Sequence, residues 1–418
     1  MMVSFSRRIT QFMSTQHSAR ATNTPKWTLF LTVILMDLLV GMEFDLFVPS
    51  FPDLQHTFGL SPAWTETLLS VNFLSYCGSL FFVGGLADRY GRRPIILLGL
   101  ILFTFGSILS VWAPTFICIL FGRFLQGVGI AAPSILSFLI IADSYPMQMQ
   151  QRLLAFLNAA MNTAAGAAPV IGSYVALYGH WRANFIVLLI LGSIVLALCY
   201  RFIPHYKRPE QQEFISWRSY LPIFQSKSLL LIIIHFLFMF VPYWIFVGLS
   251  PLLYIKDLGI SLSHFGYYQG ALALVFAVGC LVFGWLIKRF SQRSLLSAAN
   301  VIFIISLISI LFVSFERNTS PLWITLAMIL FVIGQIIPST ILYPISLNIL
   351  PEAKGRVSAI IQGGRLILSA LSLQIAGYYY QHTFQNIGIL ISVFICIAIL
   401  TLFAIMKSQI CEPNNHAT

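Results

Sequence analysis

The chain has 418 residues, of which 58% are hydrophobic and only 9% charged, and its mean hydropathy is +0.87. That excludes an ordinary soluble domain, in which about a quarter of residues are charged. The net charge of +11 does not point to nucleic acid, because the basic residues fall in gaps between apolar runs, where membrane topology and anionic lipid account for them.

Residues 1–26 carry Arg, Ser and Thr without an apolar core or cleavage site, so they do not read as a secretory signal; a cytoplasmic tail is expected. Apolar stretches long enough to span a bilayer follow near 27–50, 65–87, 95–113, 115–142, 153–177 and 184–203. A second set lies near 228–254, 263–287, 295–314, 322–349, 357–380 and 386–406. The pattern predicts an all-α membrane protein with twelve transmembrane helices in two six-helix bundles, 27–204 and 228–407. Segment 205–227 is the expected cytoplasmic linker and 408–418 a cytoplasmic tail. With both termini cytoplasmic, nineteen of the 24 Lys and Arg residues lie on the inner side. Arg182, Lys256 and Arg317 lie on the outer side, and Arg123 and Arg365 fall inside spans.

The first span holds three of the thirteen acidic residues, Asp37, Glu43 and Asp45. A carboxylate in hydrocarbon costs several kcal/mol unless it is paired, protonated or wet, so such residues are functional candidates by default. On a continuous helix Asp37 and Asp45 would lie roughly 12 Å apart and within about 80° of one face. Withdrawn from water, either is a candidate proton carrier. Glu43 points about 160° away from Asp45 on the same helix, and an interfacial, snorkelling side chain is expected for it. Arg123, in the fourth span, needs acceptors, and Asp45 is the expected partner.

Between the second and third spans stands Gly84-Gly85-Leu86-Ala87-Asp88-Arg89-Tyr90-Gly91-Arg92-Arg93-Pro94. Gly91 permits the tight reversal, and Asp88 ends a helix where it can meet an arginine or a helix N-terminus. In the fifth span Gly166-Ala167-Ala168-Pro169-Val170-Ile171-Gly172 combines small residues with a helix-bending proline. Asn158 and Asn162 either line a cavity or bond a neighbouring helix. Tyr243 and Trp244 of the seventh span are expected cavity walls for a flat apolar ligand. Arg365 of the eleventh contacts either an anionic substrate or backbone carbonyls. The two halves repeat weakly: Gly284 to Arg293 lies 200 residues after Gly84 to Arg93, and Gly334-x-x-x-Pro338-Ser339 lies 205 after Gly129-x-x-x-Pro133-Ser134. Facing repeats with a site near the midplane suit a secondary transporter. The six cysteines lack C-x-x-C spacing and imply neither disulfide nor metal. No phosphate-binding G-x-x-x-x-G-K-[ST] loop exists, so ATP hydrolysis is not the expected energy source.

The Gly84 to Pro94 loop resembles the loop between helices 2 and 3 of the major facilitator superfamily. Asp45-x-x-x-Pro49-x-x-Pro52 resembles the end of the first helix in the bacterial drug:proton antiporters, the group that holds bicyclomycin- and chloramphenicol-resistance transporters. Arg123 with Gln126-Gly127 resembles that group's helix-4 proton-coupling motif. Pro169 to Gly172 resembles its helix-5 antiporter motif, and Trp181-Arg182 with Phe185 the start of its helix 6. Ala168 departs from the glycine usual before that proline. A multidrug exporter of this group also carries two first-helix acids eight apart, implicated in drug and proton binding.

The resemblance covers the N-terminal half and implies the major facilitator fold. It implies a proton-coupled exporter of small amphipathic compounds, not an enzyme, without cofactors, acting as a monomer in the bacterial inner membrane. Asp45, Asp37 and Arg123 would couple protons, with Asp37 also touching substrate in a cavity shared with Asn158, Asn162, Tyr243, Trp244 and Arg365. Gly84, Asp88, Arg89, Gly91, Arg92 and Arg93 would form the gating motif, and Gly166, Pro169 and Gly172 the antiporter motif. The alternatives are an exporter dedicated to a self-made metabolite such as a siderophore, and a proton-coupled nutrient importer.

Overall fold

The computed structural model describes residues 26–204, 221–287, 289–316, 320–350 and 353–408. The two expected tails beyond those bounds and most of the linker lie outside the described residues, as does the side chain of Asp88. Among the described residues the chain is all-helical, with twelve long helices. In the first half these are α1 (Lys26–Glu43), α2 (Pro62–Tyr90), α3 (Arg92–Val111), α4 (Phe116–Ser144), α5 (147–178) and α6 (181–202). The second half holds α7 (Lys227–Pro251), α8 (Leu262–Leu286), α9 (Gln292–Phe315), α10 (Pro321–Ile349), α11 (Lys354–Tyr379) and α12 (Phe384–Lys407).

The helix ends follow local chemistry. Ser61, Ser226 and Ser291 cap α2, α7 and α9 by accepting from backbone N–H groups three residues on, which satisfies donors a helix leaves orphaned. Pro62 and Pro321 sit in first turns, where the missing N–H costs nothing. Helices α5 and α6 are continuous except at Gly179 and His180, whose non-helical dihedrals make the reversal. Gly91 joins α2 to α3 at φ +91°, a conformation that side-chain-bearing residues resist. Phe105, Ile117, Phe312 and Leu400 are exposed, giving the apolar exterior that lipid requires.

The first span departs from expectation. Helix α1 stops at Glu43, and 44–47 form turns before a single 3-10 turn, Val48–Ser50, and a short helix, Phe51–Phe58. Pro49 and Pro52 bring no N–H groups to extend the ladder. Asp45 therefore lies past the helix, and the angles expected on an unbroken span do not hold.

Within the first half α1 packs on α4 and α5, and α4 on α2 and α3; in the second, α7 packs on α11 and α12, and α10 on α8 and α9. Across the halves α2 packs on α11 and α5 on α8, the arrangement expected when each half repeats the other. The end carrying the Arg89–Arg93 loop is the basic face, and the opposite end the far face. The far face is closed across the halves: the Lys256 ammonium donates to Gln55 at 2.7 Å. Gly266 of α8 lies so close to Pro169, Val170 and Ser173 of α5 that a Cβ there would clash.

Candidate substrate and proton site

Helices α1, α2 and α4 bring a polar network into the bundle. Arg123 donates to Glu43 Oε1 at 2.7 Å, and both side chains are fully buried. Asn72 of α2 donates to the same carboxylate oxygen at 2.8 Å and to the Arg123 carbonyl at 3.0 Å. Arg123 also donates to Gln126 at 2.8 Å, and Gln126 donates to Ser107 at 2.8 Å. The guanidinium lies 4.1 Å from the Phe47 ring centroid, a cation–π contact in a dry setting. The expected pairing of Arg123 with Asp45 is therefore replaced by one with Glu43. Glu43 does not snorkel, because the last turn of α1 lies inside the bundle and ends there.

The two aspartates have no such anchors. Both oxygens of Asp37 are buried without a hydrogen-bond partner, as is Oδ1 of Asp45. The Ser137 hydroxyl of α4 is near Asp37 and also makes no hydrogen bond of its own. Asp45 feels the charge of Glu43 and adjoins Tyr243 of α7, so it stands where the halves meet. Trp244 packs edge-on against Phe44 and Phe73, with ring centroids 6.3 and 4.7 Å away, and against Tyr243 at 5.5 Å. The expected aromatic wall is thus in contact with the first half.

Arg365 of α11 lies half-buried, 4.5 Å from the Phe240 ring centroid, in the electrostatic reach of Tyr76 and Tyr343. Its Nε has no partner. Asn158 and Asn162 are exposed, and each donates to the carbonyl four residues back, Leu154 and Asn158, so neither bonds a neighbouring helix. A separate cleft of about 530 Å³ near the basic face, lined by Gln292, Thr340, Pro344 and Asn348, lies within the second half and holds no titratable group among the described residues.

The motif glycines hold backbones together. A Cβ on Gly172 would strike the Leu46 carbonyl, and one on Gly166 would press on Ala273 of α8 at 3.0 Å. Asn184 of α6 locks this corner by donating to Ser50 at 2.7 Å and to the Gly172 carbonyl at 3.2 Å. Trp181 is buried and its backbone N–H donates to Asp53 at 2.9 Å. At the basic face Arg92 bonds Asp143 and the Leu139 carbonyl of α4, while Arg93 bonds the Tyr200 carbonyl of α6. These arginines brace their own half.

Asn72 and Glu66 are site residues that the sequence does not announce. Asn72 looks like one polar residue in an apolar run, and Glu66 like the edge of a span. Glu66 is fully buried and neither of its carboxyl oxygens has a hydrogen-bond partner.

Comparison with known proteins agrees with this architecture. The family model described as Major Facilitator Superfamily matches residues 33–373. The chain belongs to that superfamily. Its described residues form a multi-pass membrane protein of that transporter superfamily. Similar sequences include an uncharacterized transporter of Rickettsia felis, 27% identical over 63% of this chain and 65% of its own length. A bicyclomycin resistance protein homolog of Haemophilus influenzae is 28% identical over 59% of this chain and 64% of its own length. The chain thus spans a little under two thirds of these two relatives. The chloramphenicol resistance protein CraA of Acinetobacter baumannii is 23% identical over 88% of this chain and 90% of its own. Among solved structures, a bacterial homolog of the human lysosomal transporter Spinster, in an inward-facing and occupied conformation, superposes with TM-score 0.74. Its identity is 17%, covering 92% of this chain and 97% of that one. The D-xylose-proton symporter superposes with TM-score 0.70 at 15% identity, covering 91% and 97%. At those identities the likeness concerns the fold.

Proposed function

We propose that this transporter is a proton-driven exporter of small amphipathic compounds in a bacterial cytoplasmic membrane, with both termini cytoplasmic and a single chain as the working unit. The observation that carries this reading is a pair of buried aspartates without hydrogen-bonded anchors, one of which, Asp45, adjoins Tyr243 in an aromatic wall shared by both halves. Arg123 is committed to Glu43, so among the described residues an ionised Asp45 or Asp37 has no protein cation to pair with. A proton or a cationic substrate can meet that need, but one carboxylate cannot take both, and this competition is the elementary step of exchange. The names of the drug-resistance relatives favour export.

In this reading the basic face is cytoplasmic, and the state with a sealed far face is open or opening inward. A proton loads Asp45 from outside, substrate leaves, and the bundles rock back. Asn158, Asn162, Tyr243, Trp244 and Arg365 line the route. Gly166, Pro169 and Gly172 let α5 move closely against α1 and α8. Asp88, with Arg89, Arg92 and Arg93 around the Gly84–Gly91 turn, holds the inner gate when the far face opens. Asp88→Asn should therefore lower transport while leaving expression nearly intact.

The deciding experiment uses purified protein in liposomes under an imposed pH gradient, with one cationic and one neutral amphipathic dye, in both gradient directions. Export predicts dye movement against the proton flow. Movement of sugars or organic acids with the proton flow would replace the reading with nutrient import, and activity on a single metabolite only would make the exporter a dedicated one.

A further inference from the structure

Glu66 lies four residues into α2, about 6 Å from its far-face end. The second half shapes a niche around it from two glycines. A Cβ on Gly248 of α7 would strike the Glu66 carboxyl, and one on Gly377 of α11 would meet the Ala63 backbone and come within 3.2 Å of Glu66 Cγ. The carboxyl is fully buried and both of its oxygens lack hydrogen-bond partners.

The polar groups next to it are occupied elsewhere. Gln374 of α11 donates to Ser70 and accepts from Thr67, and Ser70 donates to the Ala370 carbonyl. The charged residues at the far ends of the same helices are also engaged. Lys256 donates to Gln55, while Asp257 takes Tyr380 and His382. Among the described residues no charged group of α2, α7 or α11 acts on Glu66.

An ionised carboxylate without a cation or a donor is costly in such a niche, while a neutral acid there is far less so. The niche is also made by both halves, and it exists only while α2 lies against α7 and α11. Parting the halves at the far face would give the carboxyl to water, where it ionises freely.

We propose that Glu66 is a second proton-binding site, one whose protonation is required for the far face to close. The proton comes from the solvent at that face when the halves are parted and bonds a carboxylate oxygen; closure then buries the neutral acid between Gly248 and Gly377. Reopening returns the proton to the same side. Glu66 thus gates closure and carries no net proton across. The proposal takes from the transport reading above only its setting, the alternate closing of two faces.

The test uses the full-length chain in lipid nanodiscs, with its native cysteines replaced and spin labels at Thr57→Cys and Gln381→Cys, exposed far-face positions on opposite halves. Asp37→Asn and Asp45→Asn are present throughout, so neither aspartate contributes to any pH response. The expected result is a short distance at acid pH that lengthens at alkaline pH, with Glu66→Gln holding the short distance at every pH. The amide is the near-isostere of the neutral acid, so this variant should also fold. A distance that does not respond to pH with Glu66 present overturns the proposal, as does an unchanged response in Glu66→Gln or failure of that variant to fold. Failure of the liposome assay with this response intact would remove the exchange reading and leave the closure site standing.

Discussion

The two halves share a helix arrangement but divide the chemistry unequally. The first half buries Asp37, Glu43, Asp45, Glu66 and Arg123, four acids and one base. The second buries no acidic side chain among its described residues; its buried His235 shares a 2.9 Å hydrogen bond with Thr401 of the same half. Its contributions at the interface include Tyr243 and Trp244, Arg365, and the glycines that receive Glu66. One half thus holds the buried acids while the other supplies the surfaces that cover them. Closure of the halves is then itself an electrostatic event, because it decides which carboxyls see water.

The largest effects should come from the charged half. Asp45→Asn is expected to abolish gradient-driven transport of both a cationic and a neutral compound, read in liposomes, because in the proposed cycle it removes the group that exchanges its proton. Arg123→Ala should be about as damaging by another route. It leaves Glu43 buried without its cation, a loss of about 3–5 kcal/mol, visible as poor yield and a lowered melting temperature in detergent. Glu43→Gln combined with Arg123→Met should recover much of that stability. If the double variant melts as early as Arg123→Ala, the pair is not the source of the cost.

The fold was legible because its signals are long: twelve apolar runs, a polar break at 205–227 and a basic asymmetry survive errors of several residues in any boundary. The family was legible from an ordered string, Gly84 to Arg93, whose turn glycine is needed at φ +91°. The site was legible in its residue types but not in its pairing. Asp37, Asp45 and Arg123 were identified as buried charges, yet the partner of Arg123 depended on where α1 ends. An ideal helix carried through Asp45 turns Glu43 outward, whereas the stop at Glu43 keeps it inside. Glu66 was illegible for a different reason. Its niche is made by Gly248 and Gly377, 182 and 311 residues away in sequence, and no local pattern on α2 announces them.

Asp37 sharpens the contrast between paired and unpaired acids. It has no partner to lose, so Asp37→Asn should leave the melting temperature unchanged or slightly raised, unlike Arg123→Ala. Its effect should fall on selectivity. A cationic compound is expected to lose transport several-fold more than a neutral one, because a desolvated opposite charge is worth more than a neutral contact. The measurement is vesicle transport of the two compounds side by side. Equal retention of both would make Asp37 a tolerated structural carboxylate.

The smallest effect is expected at the basic face, where charges meet water. Arg92 and Asp143 form an ion pair with side chains 19% and 34% exposed, and pairs in such settings contribute about 0–1 kcal/mol. Both residues belong to the first half, so the pair does not bridge the bundles in this state. Asp143→Asn should accordingly shift the melting temperature little and leave transport close to that of the unaltered chain. Raising the salt concentration should narrow even that difference, since the pair is within reach of screening ions. Arg92 also donates to the Leu139 carbonyl, so it keeps an anchor when Asp143 is neutral, which is a second reason to expect a mild phenotype. The informative result would be a large one. Transport lost in Asp143→Asn with the melting temperature unmoved would mean that this pair breaks and re-forms during the cycle. The charges that drive closure would then extend beyond the buried acids to the surface of the same half.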